Sequence, residues 1–244
     1  MMVYKSIINT IDNYKFMIYI YHHLGLGDHI ICNGLVRFLQ KKHNQVSLFC
    51  YQHNIENVSF MYSDNENIKL IPVNSDYECK TFIRVNNLNT NNLYKIGFSE
   101  LSKYLPSIKF DEAFYKIAGI DFESRFNEFY IPRNRKKELE VYKELNPNDE
   151  PYIFLHEDQT RGLHINRSKI PSNIKIIENN IKYNIFDLLT VFENAHEIHL
   201  MQSSIKDLIN SYKMDKPKIF LHNYVRNYAE DLNSIGLNKI YEIN

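Results

Sequence analysis

Runs of apolar residues separated by polar loops divide the chain into strands and amphipathic helices. Residues 16–21 (FMIYIY) are almost entirely apolar or aromatic and β-prone, as a strand buried on both faces should be. The loop HHLGLGDH follows. In IICNGLVRFLQ, Ile31, Gly34, Leu35 and Phe38 then fall at i, i+3, i+4 and i+7, the spacing of a helix face packed on a sheet, with Gly34 allowing close approach to that sheet. QVSLFCY (45–51) and NIKLIPV (67–73) read as the second and third strands, with a short helical or irregular connection from His53 to Tyr62 between them. KTFIRV (80–85) reads as a fourth, and NNLNTNN (86–92) is a surface loop by composition. Helical patterns return at FSELSKYL and DEAFYKIAGI, where Gly119 has the place of a C-cap.

Residues 121–150 change character: they are charge-rich, with Pro132 before a solvated amphipathic helix and an NPNDEP turn after it. Beyond them PYIFLHED is another buried strand, followed by the polar loop QTRGLHINRSK and the short strand NIKII (173–177). IFDLLTVFENA sets Ile185, Leu188, Leu189 and Phe192 on one helical face; EIHLM (197–201) is a strand that runs through Gln202-Ser203-Ser204 into a further helix. There Ser204 and Asp207 approximate a capping box. KPKIFLHNY supplies one more strand before a short tail. Both halves thus repeat buried strand, polar loop and helix. The predicted class is α/β, with two Rossmann-like αβ domains facing across a cleft by their strands' carboxyl ends, where open sheets bind ligands. The expected division is an N-terminal domain at 1–125 carrying the glycine loop, a connection at 126–150 and a C-terminal domain at 151–244.

Composition narrows the partners. The 244 residues are 44% hydrophobic, ample for a core, and the formal net charge is zero, which argues against nucleic acid as a partner. Three cysteines without CxxC spacing point to a reducing compartment and no structural zinc. No stretch approaches a membrane span, and the N-terminus lacks the continuous apolar run of a secretory signal, so a cytoplasmic protein is expected.

Candidate chemistry gathers at residues 22–29. Gly25 and Gly27 are the closest-spaced of seven glycines, and Asp28 stands among His22, His23 and His29 where a helix begins. Free N–H groups and the dipole make such a start an anion site. The same pattern fits a tight αβ connection with Asp28 as N-cap. The dinucleotide fingerprint GxGxxG is incomplete, because Ile30 occupies the third glycine position, and no Gly-Lys-Ser/Thr of a P-loop follows. Strand alternation forbids His22 and His23 from both pointing inward.

HHLGLGDHIICNGLVRFL resembles the N-terminal motif of GT-B glycosyltransferases of the heptosyltransferase-like group, in which a strand ends in a glycine loop carrying an acid. FYKIAGIDFESRFNEFYIPR resembles the segment between their domains. PYIFLHEDQTRG and FDLLTVFENAHEIHLMQSSIKDLI are similar to their donor-binding half. The resemblance covers roughly half the chain, in a sequence shorter than is usual for them, hence a compact GT-B fold. It implies transfer of a sugar from a nucleotide-sugar donor to a glycan or other hydroxyl acceptor, usually with inversion and without a metal; no cofactor is expected, the nucleotide sugar being a substrate. No Asp-x-Asp pair occurs anywhere, so a metal clamp has no obvious ligands. Asp28 matches the family's acid and would be general base, with His23 as its partner. Gly25, Gly27, His156, Arg161, Lys169, Ser203 and Ser204 would hold the donor, with Arg167 contributing charge, its diphosphate neutralised by N–H groups and cations. Each also has an ordinary reading: Ser203 and Ser204 as N-caps, Arg161 and Lys169 as surface charge, His156 as a core hydrogen-bonding group. Tyr183 and Phe186 would either stack a base or pack the core. Two other readings stand beside the transferase: a sugar-nucleotide epimerase or hydrolase using Glu157 and Asp158, and a non-catalytic glycan- or nucleotide-binding protein.

Overall fold

The structure, a computed structural model, describes residues 17–212, 214, 216–225 and 240–243. The chain divides into two compact units, residues 1–132 and 133–244. Residues 1–16, including the start of the first apolar run, and most of the tail lie outside the described residues.

In the first unit, four strands lie parallel in the order β3-β2-β1-β4, where β1 is Ile18–Tyr21, β2 Val46–Tyr51, β3 Ile68–Val73 and β4 Leu93–Lys95. The register pairs Tyr19 of β1 with Ser47 on one side and Leu93 on the other. Strand order reverses between β1 and β4, so the carboxyl ends of those two strands flank the unit's topological switch point. The expected strand at 80–85 is instead the second half of helix α4 (Asp76–Val85); α1 to α3 are Leu26–Ile31, Asn33–His43 and Ile55–Met61. Its start is fixed by Ser75, whose hydroxyl accepts from the Glu78 N–H, while the Glu78 carboxylate accepts from Asn74 N–H at 2.8 Å. That reciprocal cap overrides the β-preference of Thr81, Ile83 and Val85.

The first helix also begins earlier than its apolar pattern suggests. Gly25 is the N-cap of α1, with no side-chain cap, and Asp28 lies inside the first turn rather than capping it. Helix α1 stops at Cys32 and α2 starts beside it. The break is bridged by the Tyr115 hydroxyl, which donates to Ile31 C=O at 2.9 Å and accepts from Leu35 N–H at 3.2 Å. Tyr115 comes from α5 (Phe110–Ala118), which ends in left-handed Gly119. The short helix α6 (Ser124–Asn127) covers α2. Gly34 is needed there and not against the sheet: a Cβ on it would lie 2.3 Å from Ser124 C=O and 3.0 Å from Arg125 C=O. We expect Gly34→Ala to cost ~1–3 kcal/mol or more, because backbone must move to admit the methyl group. An unchanged urea midpoint would contradict that contact.

In the second unit five parallel strands run β6-β5-β7-β8-β9: β5 Tyr152–Leu155, β6 Lys175–Glu178, β7 Glu197–Leu200, β8 Lys218–His222 and β9 Ile240–Ile243. The tail thus adds a strand beyond β8 that its length gave no reason to expect. Here the order reverses between β5 and β7. Helix α7 (Arg135–Leu145) packs on α8 (Leu189–Asn194) within this unit, and buried Glu138 joins Arg133 and the Thr190 hydroxyl. Residues 185–188, expected in the helix of α8, precede it. Helix α9 is Ser204–Ser211, and its cap is Ser203, which accepts from Lys206 N–H at 3.3 Å; Ser204 is the first helical residue and not the cap of a box with Asp207. Among the described residues no helix is long and apolar enough to cross a membrane.

Candidate functional site

The first unit's switch point holds a cluster built from three loops. His22 and His23 follow β1 and point to opposite sides, as alternation requires. His22 is buried, hydrogen-bonds the His23 carbonyl through Nδ1, and lies edge-on to buried His29 with ring centres 4.6 Å apart. Burial pulls the His22 pKa down to about 4, and burial with His22 alongside holds His29 well below the usual histidine range, so both rings are neutral structural groups. His23 faces the other way, edge-on to Phe98 and Phe114 at 4.8 and 5.3 Å. Its Nε2 accepts from Phe98 N–H at 2.9 Å, and its Nδ1 lies 3.9 Å from Asp28 Oδ1. Burial lowers the His23 pKa, and the charge of Asp76 opposes that shift.

Asp28 keeps 22% of its side chain exposed. Gly25 has an ordinary backbone here, and its use is spatial: a Cβ on it would stand 2.7 Å from Asp28 Oδ2. Gly27 lies in the first turn of α1. The structure therefore brings Asp28, His23 and Gly25 together. Asp76 was missed by sequence reasoning; half-buried at the start of α4, it accepts from Tyr21 Oη at 2.7 Å and Tyr51 Oη at 3.4 Å. Ser75-x-x-Glu78 directly after an apolar strand was the signal that could have located it. Among the described residues no group of three or more His, Cys, Asp or Glu side chains is arranged to hold a metal ion.

The second unit's switch point carries His156 after β5 and Ser203-Ser204 after β7. His156 is buried, its ring nitrogens make no hydrogen bond, and burial draws its pKa to about 4; the Asn179 side chain opposes that shift without reaching hydrogen-bond geometry. The loop after His156 is tied down by its own acids. Buried Glu157 accepts from Ile165 N–H at 2.9 Å and from Arg167 at 3.0 Å, and Arg167 also reaches Glu178 at 2.8 Å. Asp158 caps the turn at Gln159–Arg161 and pairs with exposed Arg161. Glu157 and Asp158, considered from sequence as a second catalytic pair, are thus occupied in holding this loop. Lys169 lies 4.7 Å above the Tyr224 ring. Phe186 is buried in the core and offers no face to a base, while half-buried Tyr183 lies 4.6 Å beneath Lys182 Nζ.

A hydrogen-bonded series through two buried histidines, missed by sequence reasoning, also ends on that loop. Glu197 Oε2 meets His199 Nε2 at 3.3 Å, His199 Nδ1 meets His222 Nε2 at 2.8 Å, and His222 Nδ1 meets Tyr224 Oη at 3.0 Å. Tyr224 Oη in turn accepts from Asn166 N–H at 2.8 Å. Alternate residues on a strand point to the same face, and His199 pairs across to Phe220, two residues before His222, which is how histidines on the neighbouring strands β7 and β8 come to touch.

No protein-family model matches the chain, and no curated protein sequence matches it. Solved structures do. A glycosyl transferase family 9 protein from Veillonella parvula superposes with a TM-score of 0.55 at 12% identity, over 94% of this chain and 86% of that one. The ADP-heptose lipopolysaccharide heptosyltransferase II of E. coli gives a TM-score of 0.52 at 10% identity, over 93% of this chain and 89% of that one. The fold of this chain is that of the heptosyltransferase-like GT-B glycosyltransferases.

Proposed function

We propose that the protein is a glycosyltransferase that moves a sugar from a nucleotide-sugar donor to an acceptor hydroxyl, inverting and independent of metal. Asp28 takes the proton of the acceptor hydroxyl, whose oxygen attacks the anomeric carbon as the bond to the diphosphate breaks. The nucleoside diphosphate leaves with the bonding electron pair. Its charge is met in the second unit by the N–H groups at the start of α9 and by Arg161 and Lys169, with His156 and Ser203-Ser204 lining the donor subsite. Arg167 serves this role indirectly, since its guanidinium is held by Glu157 and Glu178. The absence of any Asp-x-Asp pair supports the metal-free route. Three buried free cysteines suit a reducing compartment, and we place the reaction in the cytoplasm.

The observation that carries this reading is the environment of Asp28. A partly exposed carboxylate stands beside the carboxyl ends of β1 and β4, with a glycine leaving space at one oxygen and a neutral histidine beside the other. A plain helix-start acid needs neither. A thermal-shift panel of UDP-, GDP-, ADP-, CMP- and dTDP-sugars tests it, beginning with ADP-sugars because a solved neighbour is an ADP-heptose enzyme. A donor at about 100 times its dissociation constant adds ~2.7 kcal/mol of stability. Silence across the panel would contradict the proposal.

A further inference from the structure

The corner joining β4 to the following turn is strained in a way its own sequence does not require. Gly97 has φ of +94° and Phe98, a bulky residue, has φ of +58°. Two successive residues in the left-handed half of φ/ψ space, one of them aromatic, persist only where the surroundings hold them. At Gly97 space is restricted as well: a Cβ would lie 3.0 Å from His23 Cδ2 and Nε2, and 3.0 Å from Phe114 Cε1. The result of this geometry is that the Phe98 N–H points at His23 Nε2, 2.9 Å away.

We propose that the Gly97–Phe98 corner is a positioning device for Asp28, delivering one backbone N–H that fixes His23 as the Nδ1–H tautomer and turns that proton toward the carboxylate. A neutral imidazole has one donor nitrogen and one acceptor nitrogen. With Nε2 accepting from a backbone amide, the proton resides on Nδ1, which lies 3.9 Å from Asp28 Oδ1. Phe98, Phe114 and Phe110 pack around the ring with centres 4.8, 5.3 and 6.1 Å away. The charged groups around it are Asp28 on α1 and Asp76 at the start of α4, and Lys95 lies 5.7 Å over the Phe98 ring. At 3.9 Å the Nδ1–H is not hydrogen-bonded to the carboxylate; it presents its dipole to Asp28 without a formal positive charge to weaken it as a base. That consequence rests on the transferase reading; the tautomer itself does not.

Nitrogen NMR of the full chain, free of ligands and labelled at the imidazole nitrogens, reads the tautomer near neutral pH. His23→Gln identifies which of the ten histidines gives the relevant signals. The expected spectrum has Nδ1 protonated, Nε2 unprotonated, and a through-hydrogen-bond coupling between His23 Nε2 and the Phe98 amide nitrogen. A protonated Nε2, or the averaged signal of a freely exchanging ring, would overturn the proposal on the wild-type protein alone. Gly97→Ala should replace the single tautomer with a mixture, and lower kcat about tenfold or more with donor KM unchanged. An unaltered His23 spectrum in folded Gly97→Ala would also refute it. Because the spectra are recorded without substrate, failure of the transferase reading would leave the tautomer result standing. A lost tautomer with kcat intact would remove the positioning role and leave the transferase reading untouched.

Discussion

Asp28→Asn should bind the nucleotide-sugar donor as the wild type does and turn it over ~10²–10⁴-fold more slowly, the usual contribution of a general base. The substitution keeps the shape of the side chain and its place in the first turn of α1, while it removes the negative charge and the ability to accept a full proton and turns one acceptor oxygen into a donor. Loss of the negative charge near a helix start costs a few tenths to ~1 kcal/mol, too little to unfold the unit. The measurement is kcat and donor affinity side by side, at saturating acceptor. A variant within about tenfold of wild type would exclude Asp28 as the base. Weakened donor binding at unchanged kcat would assign it to binding instead.

Arg125→Met should be the most damaging single change to the first unit. Arg125 is 1% exposed, its guanidinium pairs with buried Asp111 of α5, and it lies 5.3 Å over the Phe126 ring. Removing it strands a carboxylate in the interior, which typically costs ~3–5 kcal/mol. Arg125→Met with Asp111→Leu should recover much of that loss, because a buried pair replaced by apolar groups of similar volume is often neutral. Urea unfolding followed by a probe in the first unit reads both. A loss below about 1 kcal/mol for the single change would mean that water reaches Asp111 once the arginine is gone. The effect reaches the candidate site by a short route: α5, which carries Asp111, also carries the Tyr115 that bridges α1 to α2 and the Phe114 that packs on His23.

The sequence exposes those parts of the fold that depend on local pattern. Strands β1 and β5 are continuous apolar or aromatic runs, β2, β3 and β7 are apolar runs broken by Ser47, Lys69 and the pair Glu197 and His199, and each emerges close to its expected place. The left-handed cap at Gly119 is legible because glycine is the residue that takes that conformation most readily. The misreadings share a cause. Residues 80–85 have a strand's composition, yet a cap five residues upstream starts a helix that carries through them. Strand β4 has three residues on a sheet edge and depends on β1 for its existence. The break after α1 stays hidden because the group that satisfies it, Tyr115, is 80 residues from Leu35 in the chain.

The candidate site divides along the same line. Asp28, Gly25 and His23 stand within six residues and are visible as a motif. Asp76, Gly97 and Phe98 belong to the same cluster but arrive from β3 and β4, so only the folded sheet joins them. In the second unit the cations of the loop after β5 read as free charge in the sequence. Folding assigns Arg161 and Arg167 to Asp158, Glu157 and Glu178. A donor phosphate that recruits Arg161 must therefore compete with Asp158.

The most direct test of the whole account is release of nucleoside diphosphate from a donor that stabilises the protein, measured with and without an acceptor alcohol. The account predicts release that depends on the acceptor, with the sugar recovered on its hydroxyl and the anomeric configuration inverted. Equal release in water alone would identify a hydrolase, and a bound donor that is never cleaved would identify a binding protein; either result contradicts transfer driven by Asp28.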